Sequence, residues 1–285
     1  MRYAIFLGCT VPVRAQNYEI SARKVCEALG IELVDLPQFR CCGYPVKSVD
    51  FEKFVLLAAR NLAIAEKENL PILTLCNACT VTLTEANEEL KHSEELKKKV
   101  NEKLSRFGLS YEGKVEVKHI VRVLYELKDK IEIKRKIEGF KAATHYGCHY
   151  SRPSLVYEFD DPQYPHTLDE LVELTGIEVV PYEEPYLCCG GGLLGIKEDL
   201  ALRLTKKKLD RIKGKVDLLV SICPFCSIMY EGNQKKIEKQ FEVEYGIPVV
   251  YYTQLLGLSL GFSPDELGFK LQRIKPRKLM ETFNA

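Results

Sequence analysis

Short runs of apolar residues alternate along this chain with longer stretches of helical spacing. In the first half, the apolar runs at residues 2–8, 31–37 and 71–76 predict buried strands. Residues 17–29 and 51–69 carry apolar side chains at helical spacing and predict two helices between those strands. The first half is therefore predicted to alternate strands with helices.

The same order returns in the second half. Apolar runs at residues 141–148, 177–182 and 216–223 predict strands, and residues 167–175 and 196–213 predict helices. Strands that alternate with helices favour an α/β fold with parallel sheets. We therefore expect two α/β units in one chain.

The segment between these units is strongly charged. Residues 85–140 are predicted to form solvated helices around a short apolar stretch at residues 114–118. Acidic residues are interleaved with its lysines, which disfavours a nucleic-acid surface. We predict a first domain at residues 1–140, with a helical linker at about 91–140, and a second domain at residues 141–285.

The cysteines repeat the division into two units. Ten of the eleven follow one pattern twice: a single cysteine, a Cys-Cys-Gly motif and a Cys-x-x-Cys motif. Three separations, 188−41, 223−76 and 226−79, equal 147, whereas 148−9 is 139. The chain is thus predicted to be a duplication, with these sets: Cys9, Cys41, Cys42, Cys76 and Cys79; Cys148, Cys188, Cys189, Cys223 and Cys226.

Each patterned cysteine follows a predicted strand. Parallel sheets bind ligands beyond the carboxyl ends of their strands, so each half is expected to gather five sulfurs at one edge. In a protein with a net charge of +1 and no predicted signal peptide or spanning segment, clustered cysteines indicate metal or redox chemistry in the cytoplasm. The near-neutral charge also gives no reason to expect a nucleic acid as a partner.

Five thiolates per set leave several metal sites open. Tetrahedral zinc would leave one ligand unused. A cubane iron–sulfur cluster uses four cysteines, but its common motifs pack three of them into a few residues. An iron–sulfur assembly of unusual shape suits adjacent cysteines such as Cys188 and Cys189, whose side chains diverge toward different irons. The three glycines after Cys189 either bring backbone close to the cluster or form a plain turn.

The same motifs resemble a known family. The cysteine pattern, together with "YAIFLGCTVPVR", "LCNACTVTLTEAN" and "CPFCSIMYEGNQ", is similar to the tandem CCG-domain family, and especially to the B subunits of archaeal heterodisulfide reductases. The resemblance spans nearly the whole chain. It implies reduction of the mixed disulfide of coenzymes M and B to two thiols, bound between two noncubane 4Fe–4S clusters that the ten patterned cysteines hold.

The resemblance also implies partners. These are the small ferredoxin-like C subunit and the flavin-containing A subunit of heterodisulfide reductase, often with a hydrogenase or a formate dehydrogenase attached. A second hypothesis makes the chain an iron–sulfur electron-transfer subunit with no disulfide site, as in the lactate, glycolate, succinate or thiol–fumarate members of the family.

The remaining candidates are substrate contacts. Coenzymes M and B carry anionic groups, and each basic residue of this group follows a patterned cysteine closely: Arg14, Lys47, Arg152 and Lys197. His149, like His145, flanks Cys148 and either donates a hydrogen bond or a proton to the site, or is a packed residue. Cys26 lies outside both sets and is predicted to be a core residue.

Overall fold

The computed structural model describes residues 1–157 and 159–284, and it contains eight strands within those residues. All of them are short, from two to five residues. The strands are β1 (Arg2–Phe6), β2 (Glu32–Asp35), β3 (Ile72–Thr74), β4 (Val117–His119), β5 (Lys141–His145), β6 (Glu178–Val179), β7 (Leu218–Ser221) and β8 (Val249–Tyr251).

Helices connect the strands and cover the sheets. The α-helices are α1 (Val11–Arg14), α2 (Gln16–Ala28), α3 (Phe51–Lys67), α4 (Asn77–His92), α5 (Glu94–Leu104), α6 (Ile120–Glu126), α7 (Thr167–Leu174), α8 (Glu198–Ile212), α9 (Pro224–Ser227), α10 (Gln234–Phe241), α11 (Tyr252–Ser259) and α12 (Arg277–Asn284). Asp50 is the N-cap residue of helix α3, and its carboxylate accepts a hydrogen bond from the amide of Lys53 at 3.0 Å.

The strands form two parallel sheets of the same order. The first runs β2-β1-β3-β4 and the second β6-β5-β7-β8. Phe6 pairs with Thr74 at the end of the first sheet, and His145 pairs with Ser221 at the equivalent place in the second. Central strands buried on both faces explain the continuous apolar runs. The predicted α/β fold of two duplicated parallel-sheet units is confirmed.

The duplication extends to the helices. Helix α3 starts at Phe51 and helix α8 starts at Glu198, the same separation along the chain as that between the two Cys-Cys-Gly motifs. The first sheet lies within residues 2–119 and the second within 141–251. The division that we place at residue 140 falls between them and stays a prediction.

The segment at residues 85–140 differs from its description as solvated helices. Val117–His119 forms β4 and pairs in parallel with β3, so this stretch completes the first sheet. Tyr111, Val115 and Leu124 are buried. The prediction was wrong for these residues because charged side chains at alternate positions mask a three-residue strand that has one buried face.

The two halves pack tightly against each other. Helix α2 lies on helix α11, and the Tyr18 and Tyr251 rings stack with their centroids 4.0 Å apart. The Tyr18 hydroxyl donates to the carbonyl of Ile222 at 3.1 Å, and the hydroxyls of Ser21 and Thr253 are 2.7 Å apart. These contacts hold the carboxyl ends of both sheets side by side. Within the described residues, none of the helices is both long and apolar enough to span a membrane.

Candidate metal centres

The patterned cysteines follow the strands at the carboxyl edge of each sheet. Cys9 and Cys148 lie three residues beyond the central strands β1 and β5. Cys76 and Cys223 are the N-cap residues of helices α4 and α9, which places their sulfurs at helix N-termini. A helix N-terminus favours a thiolate over a thiol, and the thiolate is the form that binds metals.

The Cys-Cys-Gly motifs form two matching tight turns. Gly43 has φ of 99° and Gly190 has φ of 86°, a left-handed conformation that strongly favours glycine. A Cβ atom on Gly43 would lie 3.0 Å from the carbonyl oxygen of Phe54, and one on Gly190 only 2.6 Å from that of Ala201. Phe54 and Ala201 occupy equivalent positions in the two halves, on helices α3 and α8. Each motif therefore needs its glycine to seat the turn against the following helix.

The same turns direct backbone amides at the vicinal sulfurs. The amides of Gly190 and Gly191 donate to the sulfurs of the cysteines two positions earlier, each at 3.4 Å. Gly43 and Tyr44 do the same in the first half. The glycines thus bring backbone N–H groups close to the sulfurs, in addition to forming a turn.

The first set surrounds a small cavity of about 30 Å³. Hydrogen bonds from the Cys41 and Cys79 thiols lower the pKa of Cys42 to about 3, so this set holds a stabilised thiolate. Cys9 is exposed at the rim. The sulfur-bearing residues of the lining are Cys9, Cys41, Cys42, Cys76 and Cys79.

The second set surrounds a larger cavity of about 280 Å³. Hydrogen bonds from the Cys148 and Cys189 thiols lower the pKa of Cys188 to about 2, which again stabilises one thiolate. Cys188 is the exposed member of this set. The sulfur-bearing residues of the lining are Cys148, Cys188, Cys189, Cys223 and Cys226.

The two sets meet across the contact between the halves. The Cys76 and Cys223 side chains form a hydrogen bond, and the amide of Asn77 donates to Cys223. Tyr44 and Phe225 line both cysteine cavities. The two candidate centres are therefore neighbours, although each draws its five cysteines from its own half.

A groove of about 250 Å³ opens beside both sets. Cys9, Val13 and Arg14 line it from the first half, and Gly191 and Phe225 line it from the second. Its walls are mostly apolar, with the guanidinium-bearing Arg14 at the exposed side. A small molecule in this groove would reach both halves.

The donor set fits an iron–sulfur cluster. Thiolates are soft ligands that select zinc, Cu(I) or iron–sulfur clusters, and the linings of both cysteine cavities contain no carboxylate among the residues that the structure describes. Five thiols around each cavity exceed the four ligands of tetrahedral zinc. Backbone amides already directed at the sulfurs are the hydrogen bonds that tune iron–sulfur clusters.

Two predicted substrate contacts lie at these cavities. Arg14 lines the groove and is exposed. His149 lines the second cavity, with its ring 5.8 Å from that of Tyr44 in an edge-to-face arrangement. Burial lowers the pKa of His149, which favours a neutral imidazole.

The other three basic candidates have different surroundings. Lys47 forms an ion pair with Glu85 beside the ring of Phe54. Arg152 donates to the carbonyl of Pro162 at 2.6 Å and lies over an aromatic ring. Lys197 is exposed at the N-cap of α8 and lies outside the described linings of the groove and of both cysteine cavities. Their role in substrate binding stays a prediction.

Cys26 and His145, whose roles the cysteine pattern does not decide, are fully buried. Cys26 lies within α2, and burial raises its pKa to about 12, so it is a neutral thiol. His145 ends β5, and its Nδ1 atom is 3.0 Å from the amine of Lys208. Sequence reasoning missed Lys208. Its only signal is that it occupies, in the second half, the position that the buried Asn61 has in the first.

Comparison with known proteins places the chain among cysteine-rich proteins. The family model for the cysteine-rich domain, CCG, matches residues 3–84 and again residues 142–231. The chain is 38% identical to the B subunit of the ferredoxin:CoB-CoM heterodisulfide reductase of Methanosarcina mazei, over 96% of this chain and 94% of that protein. It is 36% identical to a protein of Archaeoglobus profundus described as similar to the heterodisulfide reductase B subunit, over 94% and 93% of the two chains.

Two further comparisons widen this picture. The 8-methylmenaquinol:fumarate reductase membrane anchor subunit of Wolinella succinogenes is 32% identical, over 97% of this chain and 98% of that protein. Among solved structures, a hypothetical protein from Helicobacter pylori superposes with a TM-score of 0.82 at 20% identity, over 96% of this chain and 52% of that chain. That structure supports the fold alone.

Proposed function

Because the chain belongs to the cysteine-rich domain family, in the group of the heterodisulfide reductase B subunits, we propose that it is the catalytic subunit of such a reductase. The proposed substrate is the mixed disulfide of coenzymes M and B. Its reduction consumes two electrons and two protons and yields two thiols. The single observation that carries the proposal is the groove between the two sites, which Cys9 of the first set lines together with Gly191 and Phe225, two residues that also line the second cysteine cavity.

Two noncubane 4Fe–4S clusters, one per set, are the proposed cofactors. When bound, they would pass electrons one at a time to a disulfide whose reduction needs two electrons. Cysteine thiols alone do not supply this one-electron chemistry. The chain's own contribution is to hold each cluster through five thiolates and two backbone amides. It also holds the two sites together at the contact between the halves, where the side-chain amide of Asn77 donates to the carbonyl of Tyr146 at 2.7 Å.

The groove supplies the substrate site in this proposal. Phe225, Leu194 and Val13 give it apolar walls that exclude water from a bound disulfide. The guanidinium of Arg14 lies at the same groove and suits an anionic end of the substrate.

Specific partners and a location are also part of the proposal. The ferredoxin-like C subunit and the flavin-containing A subunit of the reductase would deliver the electrons to the two clusters. A cytoplasmic location is proposed as well, because eleven free cysteines suit a reducing compartment.

The test is turnover of the mixed disulfide by the anaerobically purified protein with a one-electron donor. We expect one equivalent of each thiol per disulfide. Arg14→Met should raise KM about 10- to 100-fold, since a hydrogen bond to a charged group contributes about 1.5–3 kcal/mol. Arg106→Met is the matched control, because it removes an exposed guanidinium outside the groove. Equal effects of the two substitutions, or cluster oxidation without thiol formation, would contradict the proposal.

A second candidate is an electron-transfer subunit that binds no disulfide. The observation in its favour is the 32% identity to a subunit named for menaquinol and fumarate. In that case the mixed disulfide would neither oxidise the reduced protein nor perturb its spectrum, whereas a quinone analogue with the partner subunit would.

A further inference from the structure

Lys208 is a fully buried lysine behind the second Cys-Cys-Gly turn. Its amine donates to the carbonyls of Pro185 at 2.7 Å and Glu184 at 3.2 Å, in the loop that leads into the turn. It also lies 3.0 Å from Nδ1 of His145 and 3.1 Å from the hydroxyl of Tyr182. Four acceptors surround a group whose charged form has three protons, so the pocket is built for an ammonium ion.

The equivalent position in the first half carries no charge. It is held by Asn61 on α3, whose side-chain amide donates to the carbonyl of Cys41 at 3.1 Å and accepts from the backbone amide of Arg40 at 2.8 Å. The carbonyl that corresponds to Pro185 is that of Gln38, which is bound by the side chain of Arg60 at the surface. On its buried side, the first turn is thus held by the neutral amide of Asn61. A cation that binds this loop, Arg60, lies at the surface.

The residues that end the two central strands differ in polarity as well. Phe6 ends β1 and packs against Phe39, with ring centroids 5.1 Å apart. His145 ends β5 and packs against Tyr230 at 4.8 Å, where the first half has Leu83. Among the described residues, the His145 Nε2 atom and the Tyr230 hydroxyl are buried without a hydrogen-bond partner. At the end of its central strand, the second site therefore has polar rings, whereas the first site has apolar rings at the same place.

The pKa of Lys208 depends on the charge of the sulfurs in the second set. Burial lowers this pKa to about 7, while negative charge on the sulfurs of Cys226 and Cys189 acts to raise it. Negative charge on those sulfurs therefore favours the ammonium form. By the same interaction, the ammonium ion favours additional negative charge at the sulfurs, with little screening because both groups are buried.

We propose that Lys208, supported by His145, is a positioning residue that stabilises negative charge at the second cysteine set, so that the cluster bound there accepts an electron more readily than the one in the first set. This inference rests on the proposed binding of iron–sulfur clusters. The step is the gain of one electron from the external one-electron donor, and no bond forms or breaks. The two sites of the duplicated chain are then reduced in a fixed order, the second before the first.

A redox titration followed by electron paramagnetic resonance tests this order. Cys42→Ser removes a ligand of the first set only. The signal that remains in the spectrum of this variant therefore belongs to the second site. In Lys208→Met we expect the equilibrium constant for reduction of the second site to fall at least tenfold, about 59 mV for one electron. The first site should keep its potential. Lys206→Met is the matched control on the same helix, because Lys206 is partly exposed and paired with Asp210.

The proposal is overturned if Lys208→Met keeps its iron and both potentials stay unchanged. It is also overturned if Lys208→Met and Lys208→Gln both lose the iron of the second set, since the lysine would then only hold the loop. Should neither variant fold, the potentials of Cys42→Ser and Cys189→Ser decide, and an equal or lower value at the second site rejects the proposal. A protein without iron would overturn the proposed function as well, so the two failures are distinct.

Discussion

The two halves of the chain build the same sheet and the same cysteine turn, but they surround these features differently. Gly43 and Gly190 occupy the same tight conformation against equivalent helices. Behind the turns, Asn61 and Phe6 in the first half correspond to Lys208 and His145 in the second. Geometry that ligand binding requires is common to both halves, whereas the electrostatic surroundings have diverged. For the proposed clusters, we therefore expect two centres of similar geometry with different reduction potentials.

A second difference lies in the loop after the first cysteine of each half. The stretch between Cys148 and Cys188 is longer than the stretch between Cys9 and Cys41. The loop beyond Cys148 reaches the first half, where the Phe159 ring lies 4.9 Å from the guanidinium of Arg122. The extra length therefore contributes to packing between the halves.

The largest expected effect comes from a vicinal cysteine. Cys189→Ser should remove the second cluster and leave the first, because each half supplies its own ligands. We expect roughly half of the iron to remain, with almost no turnover of the mixed disulfide, and Cys42→Ser should give the mirror result. Iron analysis and thiol assays measure both. Full iron with most of the turnover in Cys189→Ser would mean that the pair is structural.

Substitution of the turn glycines ranks next and should affect the halves unequally. Alanine at either position costs about 1–2 kcal/mol for the left-handed conformation. Gly190→Ala adds a contact of 2.6 Å with a backbone carbonyl, whereas Gly43→Ala meets one at 3.0 Å. We expect lower thermal stability in both, with greater iron loss in Gly190→Ala. Equal iron losses in the two variants would contradict the prediction, because both turns would then tolerate a Cβ atom to the same extent.

A smaller effect is expected at the contact between the halves. Tyr18→Phe removes the hydrogen bond to Ile222 and leaves a buried carbonyl unpaired, which should lower the unfolding free energy by about 1–3 kcal/mol. Iron content should not change. Tyr164→Phe is the control, because Tyr164 is 78% exposed. Denaturant unfolding of the two variants would separate them, and equal stability would contradict tight packing through Tyr18.

The smallest effect is expected at the eleventh cysteine. Cys26→Ser places a hydroxyl in an apolar core and should cost about 1 kcal/mol, with iron content unchanged. Loss of iron comparable to that of Cys42→Ser would mean that the ligand set is misassigned.

The sequence alone leads to the fold and the cysteine pattern because both have regular spacing. Apolar runs mark the buried strands, and two sets of five cysteines recur in one order. Lys208 has no such signal, since it is the last of three consecutive lysines on a charged helix and only the folded structure buries it. Strand β4 was missed for a related reason: its three residues are too few for a period to emerge among charged neighbours.

Metal and sulfide analysis of the anaerobically purified protein tests the central claim most directly. Two clusters in one chain predict about eight iron atoms and about eight acid-labile sulfides per chain, without zinc. Zinc in place of iron, or about four iron atoms with no decrease in Cys189→Ser, would contradict two iron–sulfur centres built by the duplicated halves.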